Sequence, residues 1–224
     1  LNRGCYQQMF WNCTSLTNAP DLPAIILSSY CYDTMFQSCT SLTTAPSLPA
    51  TTLASYCYSD MFRECTSLVN VPSTLPATTL ASYCYSGMFM ECTSLTTAPA
   101  LPATTLAEGC YANMFYACSL LTTAPILSAT TLDDSCYHSM FENCTSLTKA
   151  PTLPATTLPS YCYGNMFKGC TRLNEITCLA TDISATDCIF WWLYGVSSSG
   201  TFVKNSSMSS WGTGNSGIPS SWTV

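Results

Sequence analysis

Apolar residues along this chain recur in a fixed block. In "CYSDMFRECTSL", which starts at Cys57, the positions Leu53, Cys57, Met61 and Cys65 fall four apart, with Tyr58 and Phe62 beside them. Residues at i and i+4 share one face of a helix, so the spacing predicts a short amphipathic helix over each block. The slot before the block holds Ala54, Ala107, Asp133 or Pro159, followed by Ser55, Glu108, Asp134 or Ser160. Proline and carboxylates suit a first helical turn, where backbone N–H groups are unpaired. Near the end, one shared slot holds Asn12, Ser38, Asn143 and Gly169, as expected close to a C-cap. The next segment, "SLTTAP", is short, carries two threonines and closes on proline. It predicts one short strand.

The block is a repeat. Its first cysteine falls at Cys5, Cys31, Cys57, Cys84, Cys110, Cys136 and Cys162, in steps of 26, 26, 27, 26, 26 and 26 residues. The second cysteine follows eight residues later each time, from Cys13 to Cys170. The full unit reads CYxxMFxxCTSLTxAPxLPATTLASY. An eroded eighth copy starts at Cys188, where "CIFWWLYGV" places Trp192, Leu193 and Val196 on the Met, Phe and second Cys slots. A stack of repeats must end on something that covers its last apolar face. We therefore read 1–170 as seven repeats and 171–224 as the degenerate eighth with a β-rich C-terminal cap. The chain begins inside a repeat and reads as a piece of a longer protein.

A unit of this length lies within the leucine-rich-repeat range. The expected fold is an α/β solenoid, a right-handed superhelix with one short parallel strand and one short helix per coil. Neighbouring strands would lie about 4.8 Å apart. Letters that never change are those that stack on their own copies, so Cys57, Tyr58, Met61, Phe62, Cys65 and Leu68 and their equivalents form the expected core ladder. The Tyr58-type hydroxyls are expected to reach outward. The x positions hold most of the few charges, including Asp33, Asp60, Arg63, Glu64, Glu91, Glu142 and Lys168, as a solvated outer helix face would.

Composition narrows the function. Charged residues make up 8% of the chain and the net charge is −6, against roughly a quarter charged in an ordinary soluble protein. Nucleic-acid binders need clustered Lys and Arg, so such a partner is excluded. No apolar run approaches the ~18 residues of a membrane span, and no signal peptide is visible at Leu1. No cofactor motif occurs.

At "MFxxCTSLTTAPxLPATTL" the chain resembles the BspA-like leucine-rich-repeat surface proteins of Bacteroidetes, over nearly its whole length. The closing "GTFVKN…SGIPSSWTV" resembles the tails of such proteins. The resemblance implies a secreted or surface-exposed solenoid linked to adhesion to host proteins or other cells, although similar arrays occur on phage-encoded proteins. It supplies no catalytic residue and no defined binding motif.

Sixteen cysteines invite a disulfide or metal reading. Two cysteines eight apart on a helix lie roughly 12 Å apart by the 1.5 Å rise, beyond disulfide reach. Small buried side chains filling a narrow coil are the leading reading. Coil-to-coil disulfides are the alternative, disfavoured by the wider spacing expected on the helix side. Cys178 stands outside both cysteine ladders, and a Cys178–Cys188 bridge tying down the cap remains open beside two free thiols. With no CxxC spacing and one histidine, His138, no metal site is expected. Asp134, His138 and Glu142 would share a helix face, but their slots are variable outer ones and His138 is expected to be solvated. No enzyme is expected.

Three surfaces repeat. The strand face carries Thr17, Thr43, Val69, Thr96, Thr122 and Thr148, with Asn18, Thr44, Asn70, Thr97, Thr123 and Lys149 beside them. One of these columns should face outward, which makes Thr17, Thr43, Thr44, Asn70, Thr96, Thr97, Thr122, Thr123 and Thr148 the candidate binding residues. The others are the threonine pair of "PATTL" and the tyrosines around each first cysteine. The expected function is a non-enzymatic extracellular adhesion module that presents an extended face to a host or microbial protein or glycan. The alternative is a structural spacer or fibre element that self-associates end to end. An ice-binding ladder is disfavoured by the breaks at Val69 and Lys149.

Overall fold

The structure is a computed structural model that describes residues 1–224. Its defining feature is the backbone of the CYxxMFxxC block. In the second coil, the N–H groups of Cys31, Asp33, Met35, Gln37 and Cys39 donate locally, each to the carbonyl three residues back, at 3.1–3.4 Å. The alternate N–H groups, of Tyr30, Tyr32, Thr34, Phe36 and Ser38, leave the local ladder. They donate to Ser55, Cys57, Ser59, Met61 and Arg63 of the next coil at 2.8–3.1 Å. Every N–H of the block is thus satisfied, as a buried segment requires, half of them within the coil and half between coils.

This arrangement corrects the expected helix. The block holds no α-helix; it is a run of four-residue turns. Every fourth residue has left-handed φ: Tyr30, Thr34 and Ser38 at 62°, 52° and 60°, then Tyr56, Asp60 and Glu64 at 58°, 48° and 60°. One such residue every four steps stops an α-helix from propagating, because L-residues pay roughly 1–2 kcal/mol each in that conformation. The slots accordingly favour residues that tolerate it, with Gly87, Gly109, Asn113, Asn143, Asn165 and Gly169 among them. The apolar spacing of four came from this turn period and not from a helical face. A strict i+4 stripe drifts around a helix of 3.6 residues per turn, whereas it stays in register on a four-residue turn.

Like side chains stack on like. The phenylalanines of successive coils form one file, from Phe10–Phe36 at 5.4 Å between centroids to Phe141–Phe167 at 5.6 Å, with rings within 10° of parallel. The tyrosines Tyr6, Tyr32, Tyr58, Tyr85, Tyr111, Tyr137 and Tyr163 form a second, at 5.6–6.1 Å. Cys57, Tyr58, Met61, Phe62, Cys65 and Leu68 are all at most 1% exposed. Stacked aromatic pairs add about 0.5–1.5 kcal/mol each beyond the area they bury. The tyrosine hydroxyls do not reach out: Tyr58 and Tyr85 are buried with their rings, and Tyr85 Oη has no partner.

The opposite side of each coil is nearly strandless. It pairs through isolated parallel bridges such as Thr44↔Asn70, Thr52↔Thr79, Thr97↔Thr123 and Thr105↔Thr131. Two prolines per coil remove the donors that a longer ladder needs. Where both are replaced, in "NEITCLAT", a true strand forms: β1 (Glu175–Cys178) pairs in parallel with β2 (Thr201–Lys204), with Ile176 opposite Phe202. Because both sides of the stack are tied coil to coil by backbone hydrogen bonds, the wider spacing expected on the helix side is absent.

The C-terminal end is closed by aromatic residues. Trp192 stacks under Tyr163 and on Trp211, at 6.4 and 5.5 Å, and Phe202 meets both tryptophans edge-on. Trp192 Nε1 donates to Gly217 O, and Trp222 Nε1 to Ser197 O, each at 2.9 Å.

Candidate binding surface

The threonine strip follows from the bridged side of the coil. Side chains of the bridged residues point away from the core, and the columns on either side of each bridge are open. Thr17, Thr43, Thr44, Asn70, Thr96, Thr97, Thr122, Thr123 and Thr148 are all exposed. Both columns face solvent, where one was expected to. Few cross-links tie them: Asn70 Nδ2 donates to Thr44 Oγ1 at 3.2 Å, Thr122 Oγ1 to Thr96 O at 3.4 Å, and Lys149 pairs with Glu175 at 2.5 Å. Most hydroxyls are free for water or a ligand. The "PATTL" pairs form a second open strip, from Thr51 and Thr52 through Thr156 and Thr157, headed by Ile25 and Ile26 at 63% and 76% exposed.

The turn side carries the variation. Tyr30, Tyr56 and Tyr83 occupy the first left-handed slot and stack at 4.8 and 5.0 Å. Arg3 lies over the Tyr30 ring at 5.2 Å. The Tyr83 ring covers Gly109, whose Cβ would fall 2.3 Å from it, and Tyr83 Oη donates to Glu108 at 3.1 Å. Burial, with that acceptor and its charge, raises the Tyr83 pKa. In the eighth coil the variable slots hold Phe190, Trp191 and Tyr194, mutually stacked at 5.3 and 5.0 Å, with Lys168 Nζ 5.6 Å from the Trp191 ring. This aromatic group was not singled out from the sequence. Its signal was the placement of three aromatics on slots that elsewhere vary.

Asp134, His138 and Glu142 do not share a helix face, and they serve separate contacts. Asp134 Oδ1 accepts from Ser160 N at 2.9 Å, and Glu142, 8% exposed, pairs with Lys168 at 2.9 Å. His138 is half-buried rather than solvated: it packs against Gly164 and lies 3.2 Å from Ser139 Oγ and 3.4 Å from Asn165 Nδ2. Burial lowers its pKa against the opposing pull of Glu142. Nearby carboxylates on the same side, Asp33 and Asp60, are shifted upward chiefly by burial.

All sixteen cysteines are free thiols, and only Cys5 and Cys13 are exposed. The second cysteine of each coil donates its S–H to the phenylalanine carbonyl of the preceding coil. Examples are Cys65 to Phe36, Cys118 to Phe89 and Cys170 to Phe141, at 3.0–3.1 Å. Burial pushes the Cys39 thiol up to about 11 and that of Cys65 to about 12, so neither is a nucleophile near neutrality. Cys178 takes a leucine slot, bridging to Leu153 in the coil before it, and Cys188 Sγ donates to Ile183 O at 3.3 Å.

The comparisons bear on this repeat. The model of the BspA type leucine rich repeat region matches residues 3–88 and 85–194, in six copies. Among curated proteins nothing matches. No helix is long and apolar enough to cross a membrane. With the family model spanning most of its length and its stacked cores in register, the chain belongs to the BspA-type leucine-rich-repeat family.

Proposed function

We propose that the chain is an extracellular adhesion module that binds a protein or glycan of a host or microbial surface along its threonine strip, without catalysis. Membership of a surface-protein repeat family supports the setting. The observation that carries the reading is the strip itself, in which nine exposed hydroxyl and amide side chains lie in two columns on a rigid bridged backbone. Shallow contacts repeated at one spacing add through effective concentration, so a weak unit contact becomes a firm multivalent one. A rigid strip loses little conformational entropy on binding.

A second reading is favoured by the turn side, because interfaces are enriched in Tyr, Trp and Arg. There the Tyr30–Tyr56–Tyr83 stack or the Phe190–Trp191–Tyr194 group would be the anchor. One experiment separates the two. Binding to glycan arrays and to immobilised matrix proteins is measured for Thr44→Lys/Thr97→Lys/Thr123→Lys and for Tyr56→Ala/Trp191→Ala. Loss in the first variant alone supports the strip. Loss in the second alone moves the site to the turn side, and unchanged binding in both removes the proposal.

A further inference from the structure

The stack has a direction. Along the turn side, every axial hydrogen bond runs from an N–H of one coil to a carbonyl of the next, without exception from the first coil to the eighth. Tyr6 donates to Cys31, Tyr32 to Cys57, Tyr58 to Cys84, Tyr85 to Cys110, Tyr111 to Cys136, Tyr137 to Cys162 and Tyr163 to Cys188. The turn side of the first coil therefore uses its axial N–H groups inward. The carbonyls of Arg3, Cys5, Gln7, Met9 and Trp11 accept no hydrogen bond. Their equivalents Ser29, Cys31, Asp33, Met35 and Gln37 each accept one, at 2.8–3.1 Å.

The same end is apolar. Tyr6, Met9 and Trp11 are 37%, 57% and 55% exposed, whereas Tyr58 and Met61, the equivalents of Tyr6 and Met9, are at most 1%. A cavity of about 400 Å³ opens between the first coil and the Pro20–Ala24 segment, lined by Leu1, Tyr6, Met9, Phe10, Leu22 and Met35 among others. An exposed patch of this kind beside a row of unpaired backbone groups is a template for another chain.

Direction decides what fits. A second copy meeting this end with its own first coil would set carbonyls against carbonyls, which leaves both rows unpaired on desolvation. A second copy meeting it with its last coil has its end covered by Trp211, Trp222 and Ile218, each at most 8% exposed, and Trp191 N already lies 3.4 Å from Ser216 Oγ. Neither self-contact completes the row, which argues against the end-to-end fibre.

We propose that the first coil is a docking end for one further coil of this same repeat type, carried by a separate polypeptide and presenting its row of N–H groups. The donors come from every second residue of its CYxxMFxxC block. The bound coil would lay its tyrosine and phenylalanine on Tyr6 and Phe10 and cover Met9, repeating an interface that the chain already makes between its own coils. Recognition is by addition of backbone hydrogen bonds at an open edge, with the apolar side chains setting register.

The test uses the whole chain and a synthetic peptide of sequence 55–80, which contains no tryptophan, under reducing conditions. Saturable binding with a blue shift of tryptophan emission is expected, and the shift disappears in Trp11→Phe. N-methylation of the peptide at the positions of Tyr58, Asp60 and Phe62, the axial donors, weakens binding roughly tenfold or more, since each lost net hydrogen bond is worth about 1 kcal/mol. Met9→Lys, at an exposed position, blocks capture without changing the melting temperature. Absence of peptide binding, equal binding of the methylated peptide, or a concentration-dependent dimer abolished by Met9→Lys would each overturn the proposal.

Discussion

The left-handed slots give a prediction whose sign separates a turn stack from a helix. Ala117 sits in such a slot at φ 55°, with its N–H bonded to Glu142 O at 2.7 Å in the next coil. In a helix interior, Ala→Gly costs about 1 kcal/mol. Here alanine carries roughly 1–2 kcal/mol of left-handed strain, which glycine relieves while losing about 0.5–1 kcal/mol more backbone entropy on folding. Ala117→Gly should therefore stabilise by about 0.5–1 kcal/mol. In a chain of this size that is a rise of about 1–4 °C in melting temperature. Ala112, five residues earlier, is the control: it lacks positive φ, its N–H donates locally to Gly109 O at 3.0 Å, and it is 5% exposed. Ala112→Gly should lose about 1 kcal/mol or more. Thermal melts of the two variants beside the parent decide the matter. If Ala117→Gly falls by the helix-interior amount, the turn architecture is refuted.

Other consequences follow from the core and the cap. Phe115→Ala removes a ring stacked on both sides, at 5.7 Å to Phe89 and 5.6 Å to Phe141. It should cost about 3–5 kcal/mol, read as a large drop in the denaturation midpoint. In native protein, alkylation followed by mass spectrometry should modify Cys5 and Cys13 and leave the fourteen buried thiols untouched until unfolding. The raised thiol values also make stability fall with alkali. Folded Cys39 and Cys65 hold their protons to about 11 and about 12, whereas unfolded thiols lose theirs near 8.5. The stabilisation is complete below that unfolded value and is lost as pH rises through the folded ones, which a melting series from pH 7 to 11 would trace as a steady decline. At the cap, a Cβ on Gly200 would fall 2.6 Å from both Asn174 O and the Trp222 ring. Gly200→Ala should therefore unseat Trp222 and raise acrylamide quenching of tryptophan emission.

The family and the inward residues were legible in the sequence. A constant period places each side chain over its own copy, so a position inside one coil is inside all of them, and Phe62 or Cys65 could be assigned to the core without knowing the backbone path. The slots of Asn143 and Gly169 even signalled left-handed backbone, although they were taken for the end of a helix. Repetition of such residues every fourth position, as in Tyr161, Asn165 and Gly169, was the sign that the helix had no interior. The threonine columns were legible as surface, but that both were open depended on how the strip was bridged. The half-burial of His138 depended on Gly164 in the next coil.

Sequence by itself thus determined which residues meet, because stacking at a fixed interval is a property of the repeat. Only the tertiary structure decided the path between them. Half of the N–H groups in each block find their acceptors about 25 residues away, in the next coil. Local pattern and propensity describe bonds made within a few residues, so a backbone held in its turns by non-local partners looks helical until its neighbours are in place.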